Sequence, residues 1–286
     1  MKVTLAVLAT PVVGVAAIAG WVGISVSQHL HKSYEIQPVS FASDIKGDPA
    51  LGEHIVTVRN GCVECHGRDL SGDKVMDNPA MGKVYAPNLT PAALKDWSDG
   101  EIARAIRHGI GKRNQPLVIM PSEDYIHFSQ QDLANIVAYL RSVAPVDKPR
   151  TEIRLGPVSS VLLATGKAPL LSAEFVNHEQ PFSKYLPAGE TVEFGEYLAK
   201  TACMGCHKSS LKGGKIEAGP PDWPPAADLT QAALGTWKQA DFIKALRSGV
   251  NPQGKALAAP MPIKMTARFS DMELKALWKY LQTVKG

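Results

Sequence analysis

Cys62-Val63-Glu64-Cys65-His66 recurs as Cys203-Met204-Gly205-Cys206-His207. On one helical turn, residues i, i+3 and i+4 share a face. Two thiols can therefore sit beneath one edge of a flat ring system while the histidine beyond them reaches its centre. C-x-x-C-H is the pattern of covalent c-type haem attachment, so Cys62, Cys65, Cys203 and Cys206 are the expected attachment thiols. His66 and His207 are the expected iron ligands. The competing reading, a zinc site or a redox dithiol in each copy, uses the same cysteines. Zinc would want more Cys or His than these regions supply, and a dithiol has no need of the trailing His. The two motifs use all 4 cysteines of the chain, leaving none for a structural disulfide.

Around the motifs the chain repeats itself. The offset that carries Cys62 onto Cys203 also carries Met120-Pro121 onto Met261-Pro262. An offset shorter by one carries Asn88-Leu89-Thr90 onto Asp228-Leu229-Thr230, Trp97 onto Trp237, and Arg107-x-Gly109 onto Arg247-x-Gly249. Leu133, Ile136, Val137 and Leu140 match Leu274, Leu277, Trp278 and Leu281, the i, i+3, i+4, i+7 signature of an amphipathic helix. Ser129-x-x-Asp132 and Ser270-x-x-Glu273 announce these helices. An earlier helix is expected near Ser98–His108 and Lys238–Ser248, starting at Ser98-x-x-Glu101 and Thr236-x-x-Gln239. No stretch shows strand-like alternation, so the chain reads as all-α: an N-terminal transmembrane helix, then two tandem copies of one small unit.

Val3 to Val26 is a run of 24 residues without a charge. As a helix it would measure about 36 Å, against about 30 Å of hydrocarbon core. A cleaved signal peptide with Ala17-Ile18-Ala19 as its site is the alternative. The apolar character continues through Trp21, Val22, Ile24 and Val26, which favours retention. Lys2 and Lys32 lie on opposite flanks and mark the topology weakly. The organisation expected is a transmembrane anchor at 1–28, a tether at 29–46, a first domain at 47–145, a connector at 146–190 and a second domain at 191–286. Within the connector, the apolar stretch Val158–Leu171 is expected to form a short helix packed on the domains or the membrane surface.

A net charge of +4 gives no footing for nucleic acid. The charge is unequally shared: 10 Lys+Arg against 12 Asp+Glu in residues 47–144, and 13 against 8 in residues 191–286. The second half is thereby expected to meet an acidic partner.

Iron held by histidine on one side needs a ligand on the other, and a soft thioether favours reduced iron. Met120 and Met261 follow the first cysteine of their own motif at the same spacing, and each precedes a proline. They are the expected distal ligands. Met265 is a rival in the second unit without a counterpart in the first. Met76, Met81, Met204 and Met272 read as filling. His108 aligns with Ser248 and His127 with Arg268, so neither histidine repeats. Trp97 and Trp237 could donate to haem propionates or pack on the ring. Arg107 and Arg247 could pair with propionates or lie on an exposed helix face.

These residues resemble the class I c-type cytochromes, in particular the membrane-bound multi-haem kind. Gly52 with Ile136 and Tyr139, and Gly195 with Leu277 and Tyr280, match that family's contact between its terminal helices. Tyr85-Ala86-Pro87-Asn88-Leu89-Thr90-Pro91 followed by Trp97 is similar to the cytochrome subunits of bacterial membrane dehydrogenases for alcohols and sugar acids. The resemblance covers Leu51–Val143 and Phe194–Val284. It departs in two respects: those subunits usually carry three haems, and this chain has two sites and an expected N-terminal anchor. It implies two tandem class I cytochrome c domains with two covalently attached c-type haems, in the periplasm and tethered to the bacterial inner membrane. It implies outer-sphere electron transfer with a membrane respiratory complex (a dehydrogenase, a quinol-oxidising complex or a terminal oxidase) and with a soluble cytochrome. A dihaem peroxidase or thiosulfate-oxidising cytochrome is the alternative; either would need an open or labile iron site.

Overall fold

A computed structural model describes residues 3–149, 152–216, 219 and 222–286, with side chains from residue 14 onward. The chain opens with α1 (Val3–His31). The first repeat follows as α2 (Pro49–His54), a π-turn (Ile55–Arg59), α3 (Val63–His66), β1 (Lys74–Asn78) and β2 (Gly82–Tyr85). It closes with α4 (Pro91–Leu94), α5 (Asp99–His108), α6 (Ser122–Tyr125) and α7 (Gln130–Ser142). The connector carries β3 (Arg154–Leu155) and α8 (Pro157–Ala164). The second repeat is α9 (Val192–Ala202), α10 (Met204–His207), α11 (Gln231–Leu234), α12 (Gln239–Ser248), α13 (Ile263–Thr266) and α14 (Asp271–Leu281).

Local chemistry sets most of these ends. The Asp48 carboxylate accepts from Ala50 N (2.8 Å) and Leu51 N (3.3 Å), and Pro49 occupies the first turn, where its missing N–H costs nothing. Ser98 and Glu101, and Ser270 and Glu273, close reciprocal capping boxes. α12 starts later than the Thr236 box suggests: Lys238 is its cap, and the Lys238 N–H donates to Asp241 Oδ2 at 2.9 Å. α5 and α12 both end at a left-handed glycine, Gly109 (φ 66°) and Gly249 (φ 71°).

Each repeat is built on its first and last helices in direct contact, α2 on α7 and α9 on α14. Glycine makes that approach possible. A Cβ on Gly52 would lie 2.8 Å from Tyr139 Cβ and closer still to the Asn135 carbonyl. On Gly195 it would lie 2.9 Å from Tyr280 Cβ, against the Ala276 carbonyl. The apolar stripes then meet: Leu133, Ile136, Val137 and Leu140 in one repeat, and Phe194, Leu198, Leu274, Leu277 and Leu281 in the other, are all buried. These residues belong to one hydrophobic cluster that runs through both repeats.

The repeats differ in one place that matters later. The stretch from Gly52 to Cys62 is longer by two than the stretch from Gly195 to Cys203. α9 runs unbroken to Ala202, but after α2 the chain widens into the π-turn before reaching Gly61 (φ 55°). The wider turn absorbs the extra length within the helix.

Two expectations change. The fold is not purely helical: β1, β2 and β3 form a three-stranded antiparallel sheet in that order. Most of β1 faces solvent on both sides, so no alternation marks it in the sequence. Further, among the described residues no helix is long and apolar enough to cross a membrane. α1 forms over 29 residues, but residues 3–13 of the expected span lie outside those with described side chains.

The connector and the stretch after α1 both lie along the first repeat. Tyr34 N donates to Asn114 O (2.9 Å), Val39 N to Gly100 O (3.0 Å) and Arg104 to Ile36 O (2.9 Å). Asn88 Nδ2 donates to Val146 O (2.8 Å), β3 pairs with β2, and Ile119 N donates to Leu170 O (2.8 Å). The connector helix is shorter than the apolar stretch suggests. It packs against α1, whose His29 Nδ1 meets Glu174 Oε1 at 2.6 Å.

Candidate functional site

The two C-x-x-C-H turns have the same construction. In each, the histidine N–H bonds back to the first cysteine's carbonyl (His66 2.9 Å, His207 3.0 Å). The first cysteine is half-buried and the second exposed in both. Both histidines are 7% exposed. His66 Nδ1 lies 2.8 Å from Pro87 O, and His207 Nδ1 lies 2.8 Å from Ala227 O. A carbonyl only accepts, so the proton sits on Nδ1 and Nε2 keeps a free lone pair, the tautomer a metal-ligating imidazole needs. Burial holds both imidazoles below their usual pKa, against the opposing carbonyl bond, which keeps them neutral.

The loop that supplies this carbonyl is also duplicated. Leu89 N donates to Leu70 O and Leu229 N to Leu211 O, both at 2.8 Å. Leu70 and Leu211 both adopt left-handed backbone, φ 58° and 56°. Asn88 and Asp228 each accept from the threonine two residues on, at 2.8 and 2.7 Å, which turns the chain into α4 and α11. Neither the acceptor carbonyl nor these turns stand out in the sequence. The signal for them was the Asn/Asp-Leu-Thr repeat.

Burial, then the neighbouring Cys65, pushes the Cys62 thiol up to about 12; burial, then Asp124, does the same to Cys203. A redox nucleophile must be a thiolate, and the half-buried first cysteines, whose protonated form burial favours, do not suit that role. Two thiols and a neutral imidazole from one helical turn fit a covalently held haem.

Met120 and Met261 are half-buried and pack on the core. Each opens the same tight turn: Ser122 N donates to Met120 O (2.8 Å) and Ile263 N to Met261 O (2.9 Å), with Pro121 and Pro262 at ψ 59° and 70°. The rival Met265 faces elsewhere, its Sδ 2.6 Å from where a Cβ on Gly61 would sit, in the other repeat. His108 pairs with His178 of the connector, Nδ1 to Nδ1 at 3.1 Å.

Arg107 does not lie on an exposed helix face. It is 1% exposed, donates to the carbonyls of Ile126, Phe128 and Gln180, and stacks 4.1 Å from the Phe182 ring. Arg247 likewise donates to the Ala267 carbonyl, the repeat equivalent of Ile126, and to Asp271 Oδ1 (2.7 Å). Both arginines clamp the chain that leaves the Met-Pro turn. Ser172 Oγ of the connector adds a bond to Met120 O, so the first Met-Pro turn is braced from outside its own repeat. Trp97 and Trp237 are half-buried against the core.

Sequence reasoning missed a buried polar cluster between the repeats. Arg59 Nε donates to Glu273 Oε1 at 2.6 Å, and its Nη1 lies 3.7 Å from Asp132 Oδ2. His54 Nε2 lies 2.9 Å from both Glu273 oxygens, and Tyr197 OH donates to Asp132 Oδ2 at 2.6 Å. Burial alone would raise the Glu273 carboxyl, but the bonds from His54 and Arg59 outweigh it and hold it down at about 2. Asp132 is raised, because burial there exceeds the help from Tyr197 and Arg59. The unequal Gly-to-Cys spacing was the one available signal.

A family model for cytochrome c matches residues 50–144 and 192–285. The chain is 26% identical over 293 residues to a diheme cytochrome c-type of Cereibacter sphaeroides, covering 93% of this chain and 94% of that one. It is 25% identical over 254 residues to the fructose dehydrogenase cytochrome subunit of Gluconobacter japonicus, covering 81% and 51%. It is 24% identical over 262 residues to the cytochrome c subunit of alcohol dehydrogenase (quinone) of Gluconobacter oxydans, covering 82% and 54%. The chain thus spans about half the length of these two dehydrogenase subunits.

Proposed function

The chain belongs to the cytochrome c family, and from that premise we propose that it is a membrane-anchored electron carrier working beside a membrane dehydrogenase. It is a dihaem c-type cytochrome, with two c-type haems. Haem, when bound, supplies the one-electron couple of its iron. Cys62 and Cys65 hold the first group and Cys203 and Cys206 the second, through thioether bonds. His66 and His207 bind iron through Nε2, oriented by the Pro87 and Ala227 carbonyls. Met120 and Met261 would supply thioether ligands to the two irons, the chain that follows each being held by Arg107 and Arg247.

The observation that carries this reading is the duplication of the whole ligand set: imidazole, orienting carbonyl and Met-Pro turn recur with the same bonds. With His66 and Met120 on one iron and His207 and Met261 on the other, no ligand position would remain for substrate, which favours a carrier over a peroxidase or a thiosulfate-oxidising enzyme.

A dehydrogenase as electron donor is supported by the Gluconobacter relatives, both of them dehydrogenase cytochrome subunits. A quinol-oxidising complex in that place, and a terminal oxidase or soluble cytochrome as acceptor, complete the reading. The excess of 13 basic over 8 acidic residues in 191–286 suits an acidic partner there. The uncharged run Val3–Val26, in a helix of 29 residues, supports a single-pass anchor in a bacterial inner membrane with both domains in the periplasm.

The test is extraction of native membranes in mild detergent, followed by identification of what travels with the chain and by addition of CO to the reduced protein. A stoichiometric dehydrogenase and poor CO uptake are expected. A protein that emerges alone, binds CO readily and turns over peroxide would be an enzyme.

A further inference from the structure

The two repeats touch through equivalent positions. Asp124 in α6 lies against Gly205 inside the second C-x-x-C-H: a Cβ there would be 2.7 Å from Asp124 Oδ1 and 2.9 Å from its Cγ. Met265 in α13 occupies the matching place in the second repeat, under the same offset that relates Cys62 to Cys203. It lies against Gly61, immediately before the first motif. The helical turn that follows each Met-Pro pair therefore rests on the other repeat's haem-attachment segment. That places the two attachment motifs on facing surfaces.

One side chain bridges the centre of this face. Arg59 is the last residue of the π-turn, the wider turn that α9 lacks. It reaches both Asp132 and Glu273, which are equivalent residues in the first turns of α7 and α14. Its guanidinium lies 5.3 Å from the Phe194 ring of the second repeat. All three charged groups are buried: Arg59 is 9% exposed, Asp132 5% and Glu273 1%. Asn60 next to it donates to Thr201 O (2.6 Å), and Arg268 returns a bond to Thr57 O (2.9 Å). A buried charge stripped of its partner is strongly destabilising. Sliding or opening the repeats would strand two carboxylates and a guanidinium together. Inter-domain contacts in general permit relative motion unless the interface is large and well packed; here the apolar cluster is continuous across the join.

We propose that Arg59 is a positioning residue that locks the two C-x-x-C-H motifs face to face, so that both haem units form one rigid body and not two domains on a hinge. This rests on the haem assignment above. The π-turn, which α9 lacks, carries the guanidinium that meets both acids.

The test uses the full-length, haem-loaded protein and its Arg59→Met, Arg59→Lys and Asp132→Asn variants. Haem content, calorimetric unfolding and the magnetic coupling between the two ferric centres by pulsed EPR are read for each. The parent is expected to show one thermal transition and one narrow coupling distribution. Arg59→Met should retain two haems per chain, split the transition into two and broaden the coupling distribution at least twofold. Arg59→Lys, which keeps the charge but not the fork, should recover part of both. A role confined to the stability of the first repeat would lower a transition without touching the coupling, and that result overturns the proposal. If Arg59→Met does not accumulate, Asp132→Asn decides, since it keeps Arg59 but removes one of the two carboxylates it bridges: unchanged coupling there again overturns the lock. Fewer than two haems in the parent would sink the haem assignment itself, a failure the haem measurement reports separately from the coupling.

Discussion

Replacing Gly195 by alanine tests the contact on which the second domain is built. The added Cβ would stand 2.6 Å from the Ala276 carbonyl carbon and 2.9 Å from Tyr280 Cβ. Carbon atoms at rest sit about 3.5–4.0 Å apart, so α9 must withdraw from α14 by about 1 Å. Both obstructing groups are backbone or near-backbone, and no rotamer change relieves them. Overpacking of this kind costs about 1–3 kcal/mol or more. Better helix propensity returns about 1 kcal/mol. The withdrawal also loosens Phe194, Leu198, Leu274 and Leu277, all buried along this seam. A net loss of about 2 kcal/mol is expected from these two opposing effects together with the loosened seam. If the two domains unfold as one body of this size, Tm falls by about 2–4 °C per kcal/mol, hence by roughly 4–8 °C. Thermal unfolding of the haem-loaded protein by far-ultraviolet circular dichroism measures it. Gly52→Ala, whose Cβ would meet Tyr139 Cβ at 2.8 Å, should behave alike. Gly23→Ala, with nothing within 4 Å, should not lower Tm. An unchanged or raised Tm for Gly195→Ala would refute the argument that glycine is required by the close approach.

Other consequences can be measured separately. The Glu273 carboxyl is held at about 2, against 4.5 when free, so its stabilisation is complete above pH 4.5 and lost as pH falls toward 2. At about 1.36 kcal/mol per pKa unit this is about 3 kcal/mol; denaturation midpoints across this acid range should slope accordingly, and Glu273→Gln should flatten the slope. Cys62→Ser with Cys65→Ser should lower covalent haem from two per chain to one, read by denaturing gel and haem stain, while the second motif keeps its group. Met261→Ala should let the reduced protein take up about one CO per chain, read by optical titration; no uptake would remove Met261 as a ligand. Arg107→Met strands two buried carbonyls and a part-buried one and should cost about 3–5 kcal/mol, more than Arg247→Met at its partly exposed position, as compared by urea midpoints.

What the sequence determined by itself is whatever neighbouring residues settle through short-range chemistry. The thiol-thiol-imidazole spacing lies within one helical turn. The caps at Ser98, Ser129 and Ser270 act on the first turn that follows them, and the stripe Leu133–Leu140 needs only the helical period. The duplication supplied a second, independent copy of each, while the closeness of Gly52 and Gly195 to the last helices was implied by the family resemblance. Other features depended on partners far away in the chain. The strand Lys74–Asn78 is mostly solvent-exposed and exists through its pairing with Gly82–Tyr85, which leaves no hydrophobic period to read. The sequence offers Arg107 as a surface cation, but the carbonyl of Gln180, 73 residues on, closes over it. Arg59 and Glu273 are 214 residues apart, and nothing beside either one in the chain announces the other. A charge is tolerated in the interior only where opposite charge and hydrogen bonds meet it. Which charges meet is set by how whole helices pack, and only the tertiary structure decides that.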